Sequence, residues 1–177
     1  MQKTEANTQF FKFIKNNYKN WINGENAPLL SHNLVRKKVI PLMEDRIPTY
    51  LIIIDNLRYD QWKIIEPIII KDFDVVKDEM YYSILPTSTQ YSRNTIFAGL
   101  LPSEIQKRFP DKWKNDEDEG GKNMFEEDFF SDQLQRLGKG DAKHSYTKIT
   151  NIDLGRKVVN RIPNMKSNDI NVIVYNF

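Results

Sequence analysis

The sequence predicts an α/β domain in which a mostly parallel sheet is sandwiched between helices, preceded by a short helical segment. Short apolar runs alternate along the chain with longer segments whose apolar residues recur at helical spacing. The first and last of these runs, residues 50–54 and 170–175, are apolar at nearly every position, as in strands buried on both faces. This alternation favours parallel strands joined by helical connections.

Residues 1–47 form the predicted helical segment. Aromatic and aliphatic residues recur within residues 10–21 at spacings that fit one broad helical face, which we interpret as core packing. Glycine, asparagine and proline interrupt this pattern within residues 23–28. Ser31 then stands as the predicted N-cap of a second helix.

Residues 48–177 form the predicted α/β domain. We predict helices at residues 58–70, 89–99, 122–137 and 152–162. We predict strands at residues 50–54, 73–76, 80–85, 144–149 and 170–175. Pro67 should end or kink the first of these helices, and Gly99 should cap the second. The acidic stretch at residues 111–121 has no apolar periodicity, and we interpret it as a solvated loop, with a lid over a site as the alternative.

The composition excludes several classes of protein. The 177 residues are 40% hydrophobic and 28% charged, which is ordinary for a globular chain, and the net charge of +2 indicates neither a nucleic-acid nor a membrane partner. The absence of cysteine excludes a disulfide scaffold, a thiolate zinc site and a cysteine nucleophile. Since there is neither a spanning apolar run nor a signal-peptide core, we expect a cytoplasmic chain, although a processed periplasmic chain would read the same.

A carboxylate follows the first predicted strand of the domain. Asp55 would lie at the carboxyl end of a buried parallel strand, where ligand sites gather in open α/β sheets. A carboxylate there is costly to leave unpaired, so it needs a cation, a metal ion or backbone donors. Asp55 is therefore a candidate metal ligand. The alternative is that it caps the next helix or pairs with Arg58.

Three hydroxyl residues stand between a predicted strand and a predicted helix, at residues 87–89. The amino end of a helix binds phosphate and favours the alkoxide form of a hydroxyl nucleophile, whereas the alternative reading is ordinary N-capping. The two histidines, His32 and His144, lie in no ligand-like spacing. We interpret both as surface or linker residues rather than as metal ligands.

Three stretches, LIIIDNLRYDQW, PTSTQYSRNTIFAGLLP and NVIVYNF, together resemble the PglZ domain of the alkaline-phosphatase superfamily. They are most similar to the PorX-type response regulators of type IX secretion bacteria, in which a receiver and a helical linker precede a PglZ domain. The segment WINGENAPLLSHNLVRKKVIPLM resembles that linker. In the superfamily's nucleotide-pyrophosphatase branch, Pro-Thr-x-Thr opens a helix that closes in Gly-Leu-x-Pro. The matching residues here are Pro86, Thr87, Thr89, Gly99, Leu100 and Pro102.

The resemblance implies a domain that binds two divalent metal ions, usually zinc, and cleaves a phosphate ester through a phospho-threonine. Thr89 matches the nucleophile, which also contacts a metal ion, and Asp55 matches a metal ligand. Ser92 stands where the branch has an asparagine that contacts the phosphoryl group, so it is a weaker candidate for substrate binding. The implied substrate is a phosphodiester or phosphomonoester, with nucleotides and oligonucleotides among the candidates.

The resemblance places the remaining metal ligands after Phe177. We therefore expect the chain to be the first part of the domain, and to be inactive by itself. For the complete domain two functions stay open. One is a phosphohydrolase that serves as the output domain of a response regulator. The other is a regulatory module that binds a nucleotide or a protein partner without turnover.

Overall fold

The computed structural model describes residues 2–115 and 117–176. Asp116, inside the predicted acidic loop, and Phe177, after the last strand, lie outside the described residues. The chain opens with helix α1, Gln2–Ile22, and continues through short 3-10 and π-helical turns between residues 31 and 42. The elements that follow are β1 (Thr49–Ile54), α2 (Tyr59–Ile69), α3 (Thr89–Ala98), α4 (Pro102–Arg108), α5 (Glu126–Arg136), β2 (His144–Ile149), α6 (Ile152–Met165) and β3 (Ile170–Tyr175).

The three strands of the described chain form one parallel sheet in the order β1-β3-β2. Ile170 at the start of β3 pairs with the first residues of both outer strands, and Tyr175 pairs with their last residues. The strands therefore begin and end level with one another. β3 is buried from Ile170 to Val174, which explains why it is apolar at every position except Asn171. The parallel sheet and its helices confirm the predicted α/β fold.

Helices cover both faces of this sheet. On one face, α3 and α5 contribute Phe97, Phe130 and Leu134 to a core that also contains Val172 and Val174 of β3. On the other face, Val158 and Met165 of α6 pack against Ile149 and Ile173. Because side chains alternate across a strand, β3 supplies both cores. No helix in the described ranges is both long and apolar enough to cross a membrane.

Helix α3 has a larger share of buried residues than any other helix described. All of its residues from Arg93 to Ala98 are buried, and it ends at Gly99, whose φ of +59° is left-handed as the sequence predicts for a C-cap. The buried Gln133 of α5 closes this end. With its amide nitrogen facing α3, Gln133 donates to the carbonyl oxygens of Phe97 at 2.8 Å and Ile96 at 3.2 Å.

Two predicted strands, residues 73–76 and 80–85, are wrong, because neither belongs to a sheet. The first segment has β-forming residues but no cross-strand partner among the described residues, and Val76 is 94% exposed. The second segment meets the linker instead of the sheet. Its Tyr82 forms an isolated parallel bridge with Leu30.

The predicted second helix of the linker is also wrong in its geometry. Ser31 does not act as an N-cap side chain; its hydroxyl oxygen accepts a hydrogen bond from the Ile84 N–H at 3.0 Å. The aromatic stripe on α1 is not core packing either. Phe10 and Phe11 are more than half exposed, and Trp21 is the only buried residue of this helix. The stripe instead lines an open groove between α1 and residues 80–87.

Two helix boundaries and the acidic loop differ from the expectation. Helix α2 matches its predicted range to within one residue and does not end at Pro67. In contrast, α5 begins at Glu126 rather than at residue 122, and α6 ends at Met165 rather than at residue 162. The stretch at residues 111–121 is not solvated throughout, because Trp113 is buried and its ring lies 5.8 Å from that of Tyr91 on α3. The buried Trp113 ring therefore packs the start of this loop against the core.

Replacing Gly99 by alanine should destabilise the fold at the end of α3. The positive φ costs about 1–2 kcal/mol for a residue with a Cβ. The added methyl group would also lie 2.0 Å from the buried Gln133 amide, and such overpacking costs about 1–3 kcal/mol. Urea unfolding should show a larger loss for Gly99→Ala than for Gly138→Ala, since Gly138 has a positive φ but open space around it. Equal losses would contradict the close approach of Gln133.

Candidate active site

The candidate site lies where the three parallel strands end. Asp55 directly follows β1 and its N–H donates to the Tyr175 carbonyl at 2.9 Å. Asn176 directly follows β3 and its N–H donates to the Ile149 carbonyl at 2.8 Å. The hydrogen-bond ladder thus extends one residue beyond the strands and fixes both polar residues at the carboxyl edge. Asn56 then takes a positive φ of 59°, which lets the chain leave the sheet at once.

Arg93 of α3 joins these residues to the rest of the domain. Its side chain is 4% exposed. Its Nη1 donates to Asp55 Oδ2 at 2.7 Å and to Asn176 Oδ1 at 3.2 Å, while its Nε donates to Glu126 Oε1 at 2.5 Å. The planar guanidinium suits this task, because it can bind two carboxylates in fixed directions at once.

Glu126 anchors the other side of Arg93. Its carboxylate is fully buried at the first turn of α5, and it accepts a hydrogen bond from the Tyr146 hydroxyl at 2.5 Å. Lys148 Nζ lies 3.8 Å from the same carboxylate. A buried carboxylate requires such compensation, because an unpaired charge in the interior is very costly.

Burial changes the proton affinities of the groups around Glu126. The pKa of Tyr146 is raised well above its usual range, first by burial and then by the negative charge of Glu126. The pKa of Lys148 is lowered by burial, and the attraction of Glu126 offsets part of that shift. The Tyr146 phenol is therefore a neutral hydrogen-bond donor across the ordinary pH range.

The predicted nucleophile and the predicted metal ligand are connected through one residue, Arg93. Thr89 is the first residue of α3, and Arg93 follows one turn later on the same helix face. Because Arg93 binds Asp55, the helix that begins with Thr89 is tied to the end of β1. Both alternative roles for Asp55 are wrong: Arg58 occupies the N-cap position of α2, and Arg58 pairs with Asp60 and not with Asp55.

The turn before α3 is held by its own backbone rather than by a side-chain cap. Ser88 occupies the N-cap position and makes no capping hydrogen bond through its side chain. Within the part of the chain that the structure describes, the Thr89 hydroxyl has no hydrogen-bond partner. It is thus available to a ligand. The positive end of the α3 dipole lies here, which favours an anionic group.

Ser92 has a structural task in this turn. Its Oγ lies 3.0 Å from the Thr87 carbonyl and 3.1 Å from the Ser88 carbonyl, so its single proton is directed into the turn. In this arrangement the Ser92 hydroxyl can offer a ligand only its oxygen lone pairs. Its substrate-binding role stays a prediction.

The histidines lie away from the carboxyl edge. His144 begins β2 at the opposite, amino edge of the sheet, where its Nε2 lies 2.8 Å from the Ser131 hydroxyl. It is half-buried, not a surface residue. His32 is also half-buried, beside Asn33, and burial lowers its pKa.

The donor set at the edge fits part of a metal site. Across residues 2–115 and 117–176, no three His, Cys, Asp or Glu side chains come together as ligands for one metal ion. Asp55 does fit as a single ligand. Arg93 occupies its Oδ2, no described residue donates to its Oδ1, and its side chain is 26% exposed. Further ligands would be needed to complete the coordination shell.

The fold and the site define an α/β domain with an arginine-bound carboxylate at the carboxyl edge of a parallel sheet. Residues 34–177 match the sequence profile of the BREX system PglZ alkaline phosphatase-like domain. The chain belongs to this family, as the sequence motifs predict. Residues 1–22 match the profile of the PorX response regulator linker domain, so α1 corresponds to a linker. A comparison with curated proteins finds no match.

Sequence reasoning missed the residues that organise the edge: Arg93, Glu126, Tyr146, Lys148 and Asn176. One signal was present. Tyr146 and Lys148 alternate along β2 and therefore face the same side of the sheet, where two polar groups need a common partner. Nothing local indicates that Arg93 is buried, since an arginine in a helix is usually exposed.

Removing the Arg93 guanidinium should strongly destabilise the domain. Arg93→Met leaves the buried Glu126 without its ion pair, a loss of about 3–5 kcal/mol in the free energy of unfolding. As a control, Arg58→Met removes an exposed arginine and should have little effect. Chemical denaturation measures both. A loss below about 1 kcal/mol for Arg93→Met would mean that Glu126 is compensated without it.

The Tyr146 phenol should make the fold sensitive to alkali. Its pKa is raised in the folded protein, so above about pH 10 the unfolded chain loses this proton first and stability falls as pH rises. Below pH 10 that contribution is fully present. Tyr146→Phe has lower stability at pH 8, having lost a donor to Glu126, but its stability should decline less between pH 10 and 11. Parallel pH profiles for the two proteins would contradict this assignment.

Proposed function

We propose that this chain carries the nucleophile and one metal ligand of a metal-dependent phosphohydrolase, the output domain of a response regulator. The observation that supports this most is the contact between Arg93 and Asp55. It brings the carboxylate at the end of β1 to the helix that begins with Thr89. Membership of the PglZ alkaline phosphatase-like family and the linker match at residues 1–22 agree with such a domain.

Thr89 is the proposed nucleophile. Its Oγ attacks phosphorus in line, the bond from phosphorus to the leaving oxygen breaks, and a phospho-threonine forms. A water molecule then attacks the same phosphorus from the opposite side and releases the threonine hydroxyl with inorganic phosphate or a phosphomonoester. The start of α3 favours this chemistry, because its backbone N–H groups and dipole stabilise a phosphoryl group at that position.

Asp55 is proposed to contribute Oδ1 to a divalent metal ion, with Arg93 holding Oδ2 so that the carboxylate cannot rotate. Two such ions, zinc by resemblance, would lower the pKa of the nucleophilic hydroxyl and neutralise phosphoryl charge when bound. The other ligands are proposed to follow Phe177. The division into a linker at residues 1–47 and a domain from residue 48 is likewise part of this proposal.

The proposed substrate is a phosphate ester, with phosphodiesters of nucleotides or oligonucleotides as candidates. Ser92 is proposed to reach the phosphoryl group only through a bridging water molecule, since its own proton is directed into the turn.

A regulatory module without turnover is the second candidate. The contacts between the linker and the segment before Thr89 favour it, because they connect a response-regulator linker to the ligand site. In that case the same edge would bind a phosphate ester, and a protein partner would sense the bound state.

The decisive experiment is hydrolysis of a chromogenic phosphodiester by the full-length protein with added zinc. Thr89→Ala should lower turnover at least about 10³-fold, because the displacement loses its nucleophile. Ser88→Ala removes the neighbouring hydroxyl, which makes no capping bond, and should keep most of the turnover. EDTA should abolish the activity and zinc should restore it. A zinc-loaded protein that shows no turnover, or a fully active Thr89→Ala, would favour the binding module.

A further inference from the structure

The segment that leads into the Thr89 turn is held by the linker and not by the sheet. The N–H of Tyr82 donates to the Leu29 carbonyl at 2.8 Å, and its carbonyl accepts from the Ser31 N–H at 3.2 Å. The N–H of Ile84 donates to Ser31 Oγ at 3.0 Å. The next N–H, that of Leu85, donates to the hydroxyl oxygen of Tyr18 at 2.8 Å.

Tyr18 therefore makes the last contact before the turn. It lies near the end of α1, and Leu85 is followed directly by Pro86 and the hydroxyl residues that lead to Thr89. Trp21, one turn later on α1, packs its ring 5.0 Å from the Tyr82 ring. Together the two linker side chains hold both ends of a four-residue segment.

The linker also touches α3 itself. The turn at Ser31–Asn33 packs against this helix, and the buried Leu30 and Ile84 side chains close the junction. A displacement of the linker would therefore move the approach to Thr89 and the body of its helix together. Such contacts transmit motion because a packed junction resists continuous deformation.

We propose that Tyr18 is a positioning residue, through which the linker sets the geometry of the turn that carries Thr89. This inference rests on the proposed function of Thr89 as the ligand-binding hydroxyl. It adds a regulatory connection: the state of the linker determines whether the Thr89 hydroxyl is held at the carboxyl edge. Tyr18 itself touches no substrate.

Tyr18→Phe tests this connection with the loss of one oxygen atom. The Leu85 amide should exchange its hydrogen about five- to tenfold faster, as expected for one lost hydrogen bond. The amides of Tyr91 and Ser92, which donate to the Ser88 carbonyl in the first turn of α3, should accelerate with it. Amides of β3 should not change, which excludes general destabilisation.

The matched control is Tyr82→Phe. This substitution also removes a phenolic oxygen from the same junction, but the Tyr82 hydroxyl makes no hydrogen bond within the described residues. Its ring contact with Trp21 is kept. The exchange rates of the Leu85, Tyr91 and Ser92 amides should therefore stay at the wild-type values. If Tyr18→Phe accelerates Leu85 alone and leaves Tyr91 and Ser92 unchanged, the linker does not position the turn and the inference is overturned.

Kinetics of the full-length protein separate this inference from the proposed function. Tyr18→Phe should lower kcat roughly tenfold with little change in KM, since it misplaces the nucleophile without removing a substrate contact. An unchanged kcat beside an inactive Thr89→Ala would overturn the positioning role and keep the phosphohydrolase. If Thr89→Ala stays active, the proposed function fails, and the exchange data alone then decide whether the linker controls this turn.

Discussion

Arg93 is a buried cation that pairs with two carboxylates, and removing it would leave both without their ion-pair partner. It lies on α3, while Glu126 belongs to α5 and Asp55 to the end of β1, so one guanidinium holds three elements in a fixed relation. Buried ion pairs contribute little net stability compared with apolar packing, but breaking one is expensive. The pairs also restrict the packing of α3, because an arrangement that separated Arg93 from Glu126 would leave a buried charge unpaired.

The apolar core and this charged network make different contributions to the structure. Phe97, Phe130 and the inward residues of β3 supply the burial that holds α3 and α5 on the sheet. The polar groups lie at the carboxyl edge of the same layer, where a slight rotation of α3 would separate Arg93 from Asp55. The last contribution comes from the linker, which binds the chain just before α3. The position of Thr89 thus depends on the sheet, on α5 and on the linker at once.

Much of the fold could be predicted from the sequence, because periodicity and apolar runs are local. The strands β1, β2 and β3 and the left-handed Gly99 follow from such signals. Residues 73–76 and 80–85 have the composition of strands but pair with nothing in the sheet, since pairing depends on partners distant in the sequence. Asp55 and Thr89 could be singled out from the sequence, whereas Arg93 could not. Its burial follows from the placement of α3, which no local pattern specifies, and the link from Tyr18 to Leu85 depends equally on distant packing.

The strand order has a consequence for how the molecule is made. β3 lies between β1 and β2, yet it is the last of the three along the chain, so among the described strands neither outer one has a neighbour until β3 has been synthesised. During translation, β1 remains without a strand partner until residues 170–175 have been synthesised, because its hydrogen bonds are made to β3. Long-range parallel pairing of this kind folds slowly and leaves apolar segments exposed in the meantime. Translation that stops before Ile170 would leave a polypeptide with helices but no sheet.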